Sequence, residues 1–365
     1  MKNTFEVNHP SLDDYRIAQF IDYAPTVFNY LRKISGIFPD QYIESLGPEV
    51  LSKIITGNMD TFEGMGSSGK SGSLFFTTPD KKYLVKTISK EEFNLFMRIL
   101  PHYYNHLCRN SHSLIAKIYS LHRIVLKSNR GKIEEWIIVV MQNILCTSAA
   151  IHEKYDLKGS TYKRKTKGGA TGADPGKDLD FKDSGKVFNL SATAYRQVID
   201  RLTKDTEFLA SQNIIDYSLL VGVHDCNAKQ ESPIGIKQVS RSPSRFQSFN
   251  RLGSVTSQVS MMAGLSENAG DKDFYMVQTV DSKYVLYFGI IDMFTPFNAR
   301  KAAEFAIKRT FLGKGISCVP PSLYSKRFIE YMRFTVFKSS SLEAFQSLDT
   351  LKSKSIFPDK QQAGR

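Results

Sequence analysis

Apolar residues in this chain gather in short β-branched runs bounded by turn signals, with longer stretches at helical spacing between them. Val285 to Ile291 is the most telling run. It predicts a buried strand that ends in a single carboxylate, Asp292. Thr295-Pro296 then marks a turn, and the chain turns basic. At 100° per residue, Arg300, Lys301, Glu304 and Lys308 share one face of a helix, with Arg309 beside them. Trp136 to Met141 predicts another strand, leading into the connector Gln142-Asn143-Ile144-Leu145. Ile115 to Val125 and Leu219 to Val223 predict further strands, and Phe274 to Val280 pairs with Lys283 to Ile291 as a hairpin. Asp216 sits in a polar gap between two apolar runs, as a turn cap or a proton acceptor.

Helical spacing dominates elsewhere. Residues 11 to 60 read mainly as helix, strongest over Ile21 to Ile34 and Gln41 to Ile55; a helical base and a dimer surface both fit. Lys90 to Leu107 predicts a helix with Glu91 and Glu92 in its first turn and an interruption at Pro101. Ser191 to Gln212 predicts an amphipathic helix with Tyr195, Val198, Ile199, Leu202, Phe208 and Leu209 as its core stripe, and Tyr324 to Phe334 predicts a terminal helix. Lys163 to Lys167 reads as a solvated basic loop and Gly168 to Gly176 as a mobile surface loop. Residues 227 to 273 are serine-rich and lack periodicity, which predicts a disordered insertion.

Gly64 to Ser71 satisfies the phosphate-loop pattern GxxxxGK[ST]. That loop needs a buried strand before it and a helix after it. Here Asn58 to Glu63 is a poor strand, and Ser73 to Thr78 is a good strand and a poor helix. Pro79-Asp80 and Lys82 to Ile88 complete a glycine-rich hairpin, the layout of a kinase loop that covers phosphates, with Lys86 on the second strand. A purely structural Gly/Ser loop is the alternative.

The chain has 365 residues, 41% of them hydrophobic, enough for a large core in one domain or two lobes. The net charge of +13 implies an anionic partner: nucleic acid, a phosphorylated ligand or membrane headgroups. No nucleic-acid recognition module is present in the sequence, which argues against the first. The four cysteines, Cys108, Cys146, Cys226 and Cys318, form no CxxC pair. Neither a zinc site nor a disulfide framework is expected, and a reducing, intracellular setting fits. The N-terminus lacks the apolar core of a signal peptide, and no run reaches the ~20 apolar residues that span a bilayer. Membrane contact is therefore expected to be peripheral.

The order is glycine-rich hairpin, strand lysine, connector, loop aspartate, strand, and a second aspartate at a strand end. It is kinase-like, yet HRD, DFG and APE motifs are missing. The strings GKSGS (69–73), YDLKGS (155–160), IIDYSLLVGVH (214–224), YFGIID (287–292) and YSKRF (324–328) resemble the phosphatidylinositol phosphate kinase family, over roughly residues 20 to 335. The resemblance implies an α+β, two-lobed kinase-like fold with antiparallel sheets in both lobes and a nucleotide cleft between them. It divides the chain into an N-terminal helical region (1–60), an N-lobe (61–143), a C-lobe (144–338) and a polar tail (339–365).

Roles follow from the same resemblance. Gly69, Lys70, Ser71, Gly72 and Ser73 would cover the ATP phosphates, and Lys86 would pair with them. Asn143 and Leu145 would lie beside the adenine. Lys158 would act near the transferred or substrate phosphate. Asp216 would orient or deprotonate the attacking inositol hydroxyl, and Asp292 would hold Mg2+. The segment after Asp292 resembles the family's specificity loop, with Arg300, Lys301, Glu304 and Lys308 at the lipid headgroup. Glu304 matches the type I enzymes, which phosphorylate phosphatidylinositol 4-phosphate at the 5-hydroxyl; type II enzymes have alanine there. The lysine pair of type I loops is replaced by Lys301-Ala302, with Arg300 one place earlier, and Ala302, Ala303 and Ala306 look partly type II. The expectation is a phosphatidylinositol 4-phosphate 5-kinase, peripheral on the cytoplasmic face of the plasma membrane, with a homodimer through the N-terminal region. A 5-phosphate 4-kinase, a protein kinase of the same architecture and a non-catalytic phosphoinositide-binding scaffold are the alternatives.

Overall fold

The computed structural model describes residues 2–5, 15–47, 73–128, 130–166, 169–171, 174–228, 276–312 and 318–340. The chain begins with strands β1 (Lys2–Phe5) and β2 (Tyr15–Tyr23) and helices α1 (Pro25–Ile34) and α2 (Pro39–Leu46). The hairpin β3 (Phe75–Thr77) and β4 (Tyr83–Thr87) follows, then α3 (Lys90–Arg109), β5 (Ile118–Ser128) and β6 (Ile133–Gln142). Next come β7 (Glu153–Leu157), α4 (Asp178–Asp183), β8 (Phe188–Leu190), α5 (Ala192–Ser211), β9 (Ile214–Ile215) and β10 (Ser218–Asp225). The last elements are β11 (Met276–Gln278), β12 (Tyr284–Ile291), β13 (Thr295–Pro296), α6 (Ala299–Leu312), α7 (Pro321–Tyr331), a π-helical turn (Met332–Val336) and β14 (Phe337–Ser339). The fold mixes helices with antiparallel sheets: a six-stranded sheet in the order β1-β2-β5-β6-β4-β3 and a four-stranded sheet in the order β11-β12-β10-β7.

The six-stranded sheet buries both faces, and its strands show why. In β6, Ile137, Val139 and Met141 face the larger core, while Ile138 and Val140 face a smaller cluster with Leu46, Phe76, Tyr83 and Val85. Side chains alternate with period two, so Lys86 falls on the same side as Leu84, toward the larger core. That core continues through α3 and α5 into the four-stranded sheet at Leu219, Val221, Leu286 and Phe288. The loop before β5 stitches the parts together. Leu114 O accepts from Ile290 N at 2.7 Å, and Ala116 N donates to Ile290 O at 2.9 Å. Gly289 allows this approach, since a Cβ there would lie 2.4 Å from Ile144 Cδ1 and 3.0 Å from Leu114 O. Buried Asp205 of α5 completes the joint, accepting from Leu114 N at 2.6 Å and Ser113 Oγ at 2.8 Å and meeting His106 Nε2 at 2.7 Å.

Several sequence expectations change. The helical reading of the N-terminal segment fails over Tyr15–Tyr23, which pairs antiparallel with β5. Tyr, Ile and Phe suit a pleated surface, and cross-strand pairing outweighs weak helical spacing. Helix begins only at Pro25, where proline's fixed φ suits the first turn. Pro101 does not interrupt α3. Burial of Leu95, Phe96, Ile99, Leu100, Tyr103 and Leu107 on both sides of it outweighs a penalty of about 3 kcal/mol. The expected surface loop docks, in its described parts, on the free edge of β7: Lys154 N donates to Ala170 O at 2.9 Å and Asp156 N to Gly176 O at 2.8 Å. Within the expected solvated basic loop, Arg164 is buried between Asp156 and Asp178. The serine-rich insertion lies outside the described residues apart from Asn227 and Ala228, as does the tail beyond Ser340. All four cysteines are free thiols. Among the described residues no helix is long and apolar enough to cross a membrane.

Candidate active site

The site is built on an interrupted ladder. β10 pairs with β12 up to Ser218↔Ile291, and pairing resumes at Ile215↔Thr295 between β9 and β13. Asp216 and Tyr217 fill the gap on one side, and Asp292, Met293 and Phe294 fill it on the other. Register therefore places the two aspartates on opposite sides of the same break in the ladder. Both have left-handed backbones, φ 63° at Asp216 and 67° at Asp292. A non-glycine residue pays for that conformation unless its surroundings enforce it. At Asp216 part of the enforcement is visible. Fully buried Tyr324 of α7 donates its hydroxyl to Tyr217 O at 2.5 Å.

Lys86 comes to the same place from the other sheet. Its ammonium lies 5.1 Å from the Phe294 ring centroid and 5.3 Å from that of Phe75, and the residue is only 6% exposed. A buried cation requires compensation. Glu92 in the first turn of α3 supplies it, with an oxygen 3.7 Å from Lys86 Nζ. Glu92 also closes the helix cap. Its Oε2 accepts from Ser89 N at 2.7 Å, and its own N–H donates to Ser89 Oγ at 3.2 Å. Phe294 packs edge-on against Phe96 of the same helix at 5.6 Å. Thus α3 touches both the lysine and the segment that carries Asp292.

Two further lysines converge on Asp216. Lys158, just past β7, donates from Nζ to Asp216 O at 2.6 Å. Lys301, in the first turn of α6, holds Asp216 Oδ2 at 3.3 Å and Glu304 Oε2 at 3.3 Å. Burial pulls the Lys301 ammonium down, but the two carboxylates outweigh it and the net shift is upward. Asp292 differs: among the described residues its carboxylate makes no ion pair or hydrogen bond. A half-buried carboxylate without a partner suits a hard divalent cation, and Mg2+ needs only one or two such ligands beside substrate oxygens. A buried ammonium on the other sheet suits the phosphates that would share it. The residues present therefore fit Mg2+ and a nucleotide.

Comparison with known proteins decides the family. The model described as phosphatidylinositol-4-phosphate 5-kinase matches residues 56–335. The chain belongs to the phosphatidylinositol 4-phosphate 5-kinase family. It is 33% identical over 340 residues to the human phosphatidylinositol 4-phosphate 5-kinase type-1 alpha, covering 90% of this chain and 58% of that one. It is 32% identical over 328 residues to the Plasmodium falciparum phosphatidylinositol 4-phosphate 5-kinase, covering 86% of this chain and 18% of that one. It is also 32% identical over 336 residues to Arabidopsis thaliana phosphatidylinositol 4-phosphate 5-kinase 6, at 87% and 45% coverage. The chain thus spans between 18% and 58% of the length of these relatives.

Within this family member, Lys158, Asp216 and Lys301 meet and Glu304 joins through Lys301, while Lys86 lies against Phe294, two residues past Asp292. Gly69, Lys70, Ser71 and Gly72 lie outside the described residues; Ser73 is buried just before β3. Asn143 is occupied in shaping the connector, donating to Lys81 O at 2.8 Å and accepting from Leu145 N at 3.1 Å. Leu145 packs over Gly222, where a Cβ would lie 2.6 Å from Leu145 Cδ2. Arg300 is exposed on α6, which also contains Lys308. Sequence reasoning missed Glu92, Phe294 and Tyr324 as site neighbours. The Ser89-x-x-Glu92 capping pattern was a signal for Glu92; nothing in the pattern announces its second bond to Lys86.

Proposed function

We propose that the protein transfers the γ-phosphate of ATP to the inositol 5-hydroxyl of phosphatidylinositol 4-phosphate at a membrane surface. The observation that carries this reading is the ladder gap, which holds Asp216 on one side and Asp292 on the other and meets Lys86 through Phe294. The space between the two sheets at this gap takes the nucleotide, with residues 61–143 as one lobe and 144–338 as the other. Asp292 would hold Mg2+, and Gly69 to Ser73 would cover the phosphates, as the family resemblance implies. Bound Mg·ATP supplies the transferable phosphoryl group and the divalent charge that offsets it. The chain's own task is position and charge compensation. Lys86 offsets phosphate charge from a buried position, where an ammonium acts more strongly than in water. Asp216 orients the lipid hydroxyl and accepts its proton. Lys158, fixed against the Asp216 carbonyl, faces the phosphates.

Specificity and docking fall to α6. Glu304, tied through Lys301 to Asp216, supports the 5-kinase assignment. Arg300, Lys301, Lys308 and Arg309 would together contribute roughly 4 kcal/mol to an anionic leaflet if all reached it. That supports reversible attachment to the cytoplasmic face of a membrane. Exposed Tyr30, Phe38 and Ile43 around α1 and α2 support a homodimer surface. The test is purified protein with labelled ATP and vesicles carrying either the 4-phosphate or the 5-phosphate lipid, with the product mapped. The 4,5-bisphosphate from the 4-phosphate lipid is expected, and Glu304→Ala should shift the preference. Product only from the 5-phosphate lipid would overturn the 5-kinase assignment. No labelled lipid from either would leave the scaffold reading, and labelled peptide instead would leave the protein-kinase reading.

A further inference from the structure

We infer that Asp178 and Arg164 are positioning residues for Lys158, setting from behind the site where its ammonium reaches. The inference rests on the role given to Lys158 above. Asp178, the first residue of α4, is 3% exposed, and Arg164 is 9% exposed. One carboxylate oxygen of Asp178 gathers three consecutive backbone donors: Lys158 N at 2.9 Å, Gly159 N at 2.7 Å and Ser160 N at 3.4 Å. Successive N–H groups aimed at one anion curl the chain tightly. Gly159 completes the curl with φ 66°, seated so closely on α7 that a Cβ would lie 2.9 Å from Tyr331 Cβ. The other Asp178 oxygen accepts from Arg164 Nε at 2.5 Å. Arg164 reaches on through Nη2 to both the backbone oxygen and Oδ1 of Asp156, at 2.5 and 2.6 Å.

Lys158 is thus held at two ends, its amide by Asp178 and its ammonium by Asp216 O at 2.6 Å. Charge pairing by itself is a weak reason to bury these groups, since a buried ion pair gives little net stability over an apolar replacement of similar volume. Nor does Asp178 reach the other site residues itself: its carboxylate bonds to this turn and to Arg164, and its backbone oxygen accepts from the Tyr331 hydroxyl at 3.3 Å. What the cluster does fix is the exit direction of the Lys158 side chain from the end of β7. Rate is sensitive to that direction, since a misplacement of about 1 Å can cost about 10²-fold.

The test is a double-mutant cycle on the full chain, with turnover measured on ATP and phosphatidylinositol 4-phosphate vesicles. Lys158→Met, Asp178→Asn and the double variant are compared, with thermal unfolding of each. Asp178→Asn should lower kcat by about 10²-fold with the KM for ATP little changed. In the Lys158→Met background it should lower kcat no further. Multiplying effects would overturn the inference, because a merely structural loss acts whether or not Lys158 is present. If Asp178→Asn does not fold, Arg164→Lys carries the same test; it keeps the charge and loses the two-pronged hold, and its effect should likewise vanish on Lys158→Met. Wild-type turnover in Lys158→Met would overturn the role of Lys158 itself. A slow Lys158→Met beside a wild-type Asp178→Asn would overturn only the positioning claim.

Discussion

Asp216 and Asp292 share a backbone and differ in everything around it. Both sit past the end of an adjacent strand with φ above 60°. Asp216 is crowded: Lys301 binds its carboxylate, Lys158 binds its carbonyl, and Tyr324 braces the next peptide. Asp292 has no polar partner among the described residues, and its segment is fixed by apolar packing of Phe294 on Phe96 and under Lys86. A carboxylate already held by a lysine sits in a fixed polar frame. One whose segment is held through neighbouring apolar side chains keeps its oxygens open, as the proposed metal role would require. The same backbone conformation therefore carries two different electrostatic environments.

The sharpest way to break this contrast is at the acids themselves. Asp216→Asn should lower kcat by about 10²–10⁴-fold, with the Mg2+ concentration for half-maximal rate unchanged. Asp292→Asn should lower it by about 10²–10³-fold and raise that concentration. Steady-state kinetics across a Mg2+ titration checks both, and an identical Mg2+ response in the two variants would erase the distinction. Next in size is the brace on one side only. Tyr324→Phe leaves Tyr217 O without its donor in a buried place and should cost about 1–3 kcal/mol in denaturant unfolding.

Acid should reveal the buried charges behind Asp216. Burial works to raise the Asp156 carboxyl, but Lys158 and Arg164 outweigh it and hold it below its usual 3.8. A depressed folded value means stability that is present above pH 3.8 and lost as pH falls from there through the folded value. Unfolding free energy followed with pH should show this loss in the wild type and less of it in Asp156→Asn. The smallest effect belongs to the half-exposed Lys301 pair. Lys301→Ala should cost at most about 1 kcal/mol. Because the Lys301 ammonium is raised above its usual 10.5, that contribution is present at neutral pH and lost only as pH climbs past 10.5 through the folded value.

The strands and helices that carry the acids were legible because burial enforces periodicity. β6, β10 and β12 fall where the apolar runs lie, and α5 begins at the Ser191 cap, whose Oγ accepts from Ala194 N at 3.2 Å. Tyr15–Tyr23 was not legible, since its strand form depends on β5, which lies a hundred residues away along the chain, roughly, and local spacing is a weak prior. Lys86, Asp216 and Asp292 stood out as charges against apolar runs. Their neighbours did not. Glu92 read as a first-turn acid, Tyr324 as the start of a terminal helix and Arg164 as part of a solvated basic loop, and Phe294 carried no reading of its own. Each gained its place through a contact far away in sequence, which no local pattern encodes.

Helix α3, 20 residues long, extends about 30 Å. Its first turn grips Lys86 through Glu92, and near its last turn His106 is clasped by Asp205 and stacked on Phe208 at 4.3 Å. One helix therefore ties the lysine of the six-stranded sheet to α5, and its length alone sets how far apart those two clamps stand.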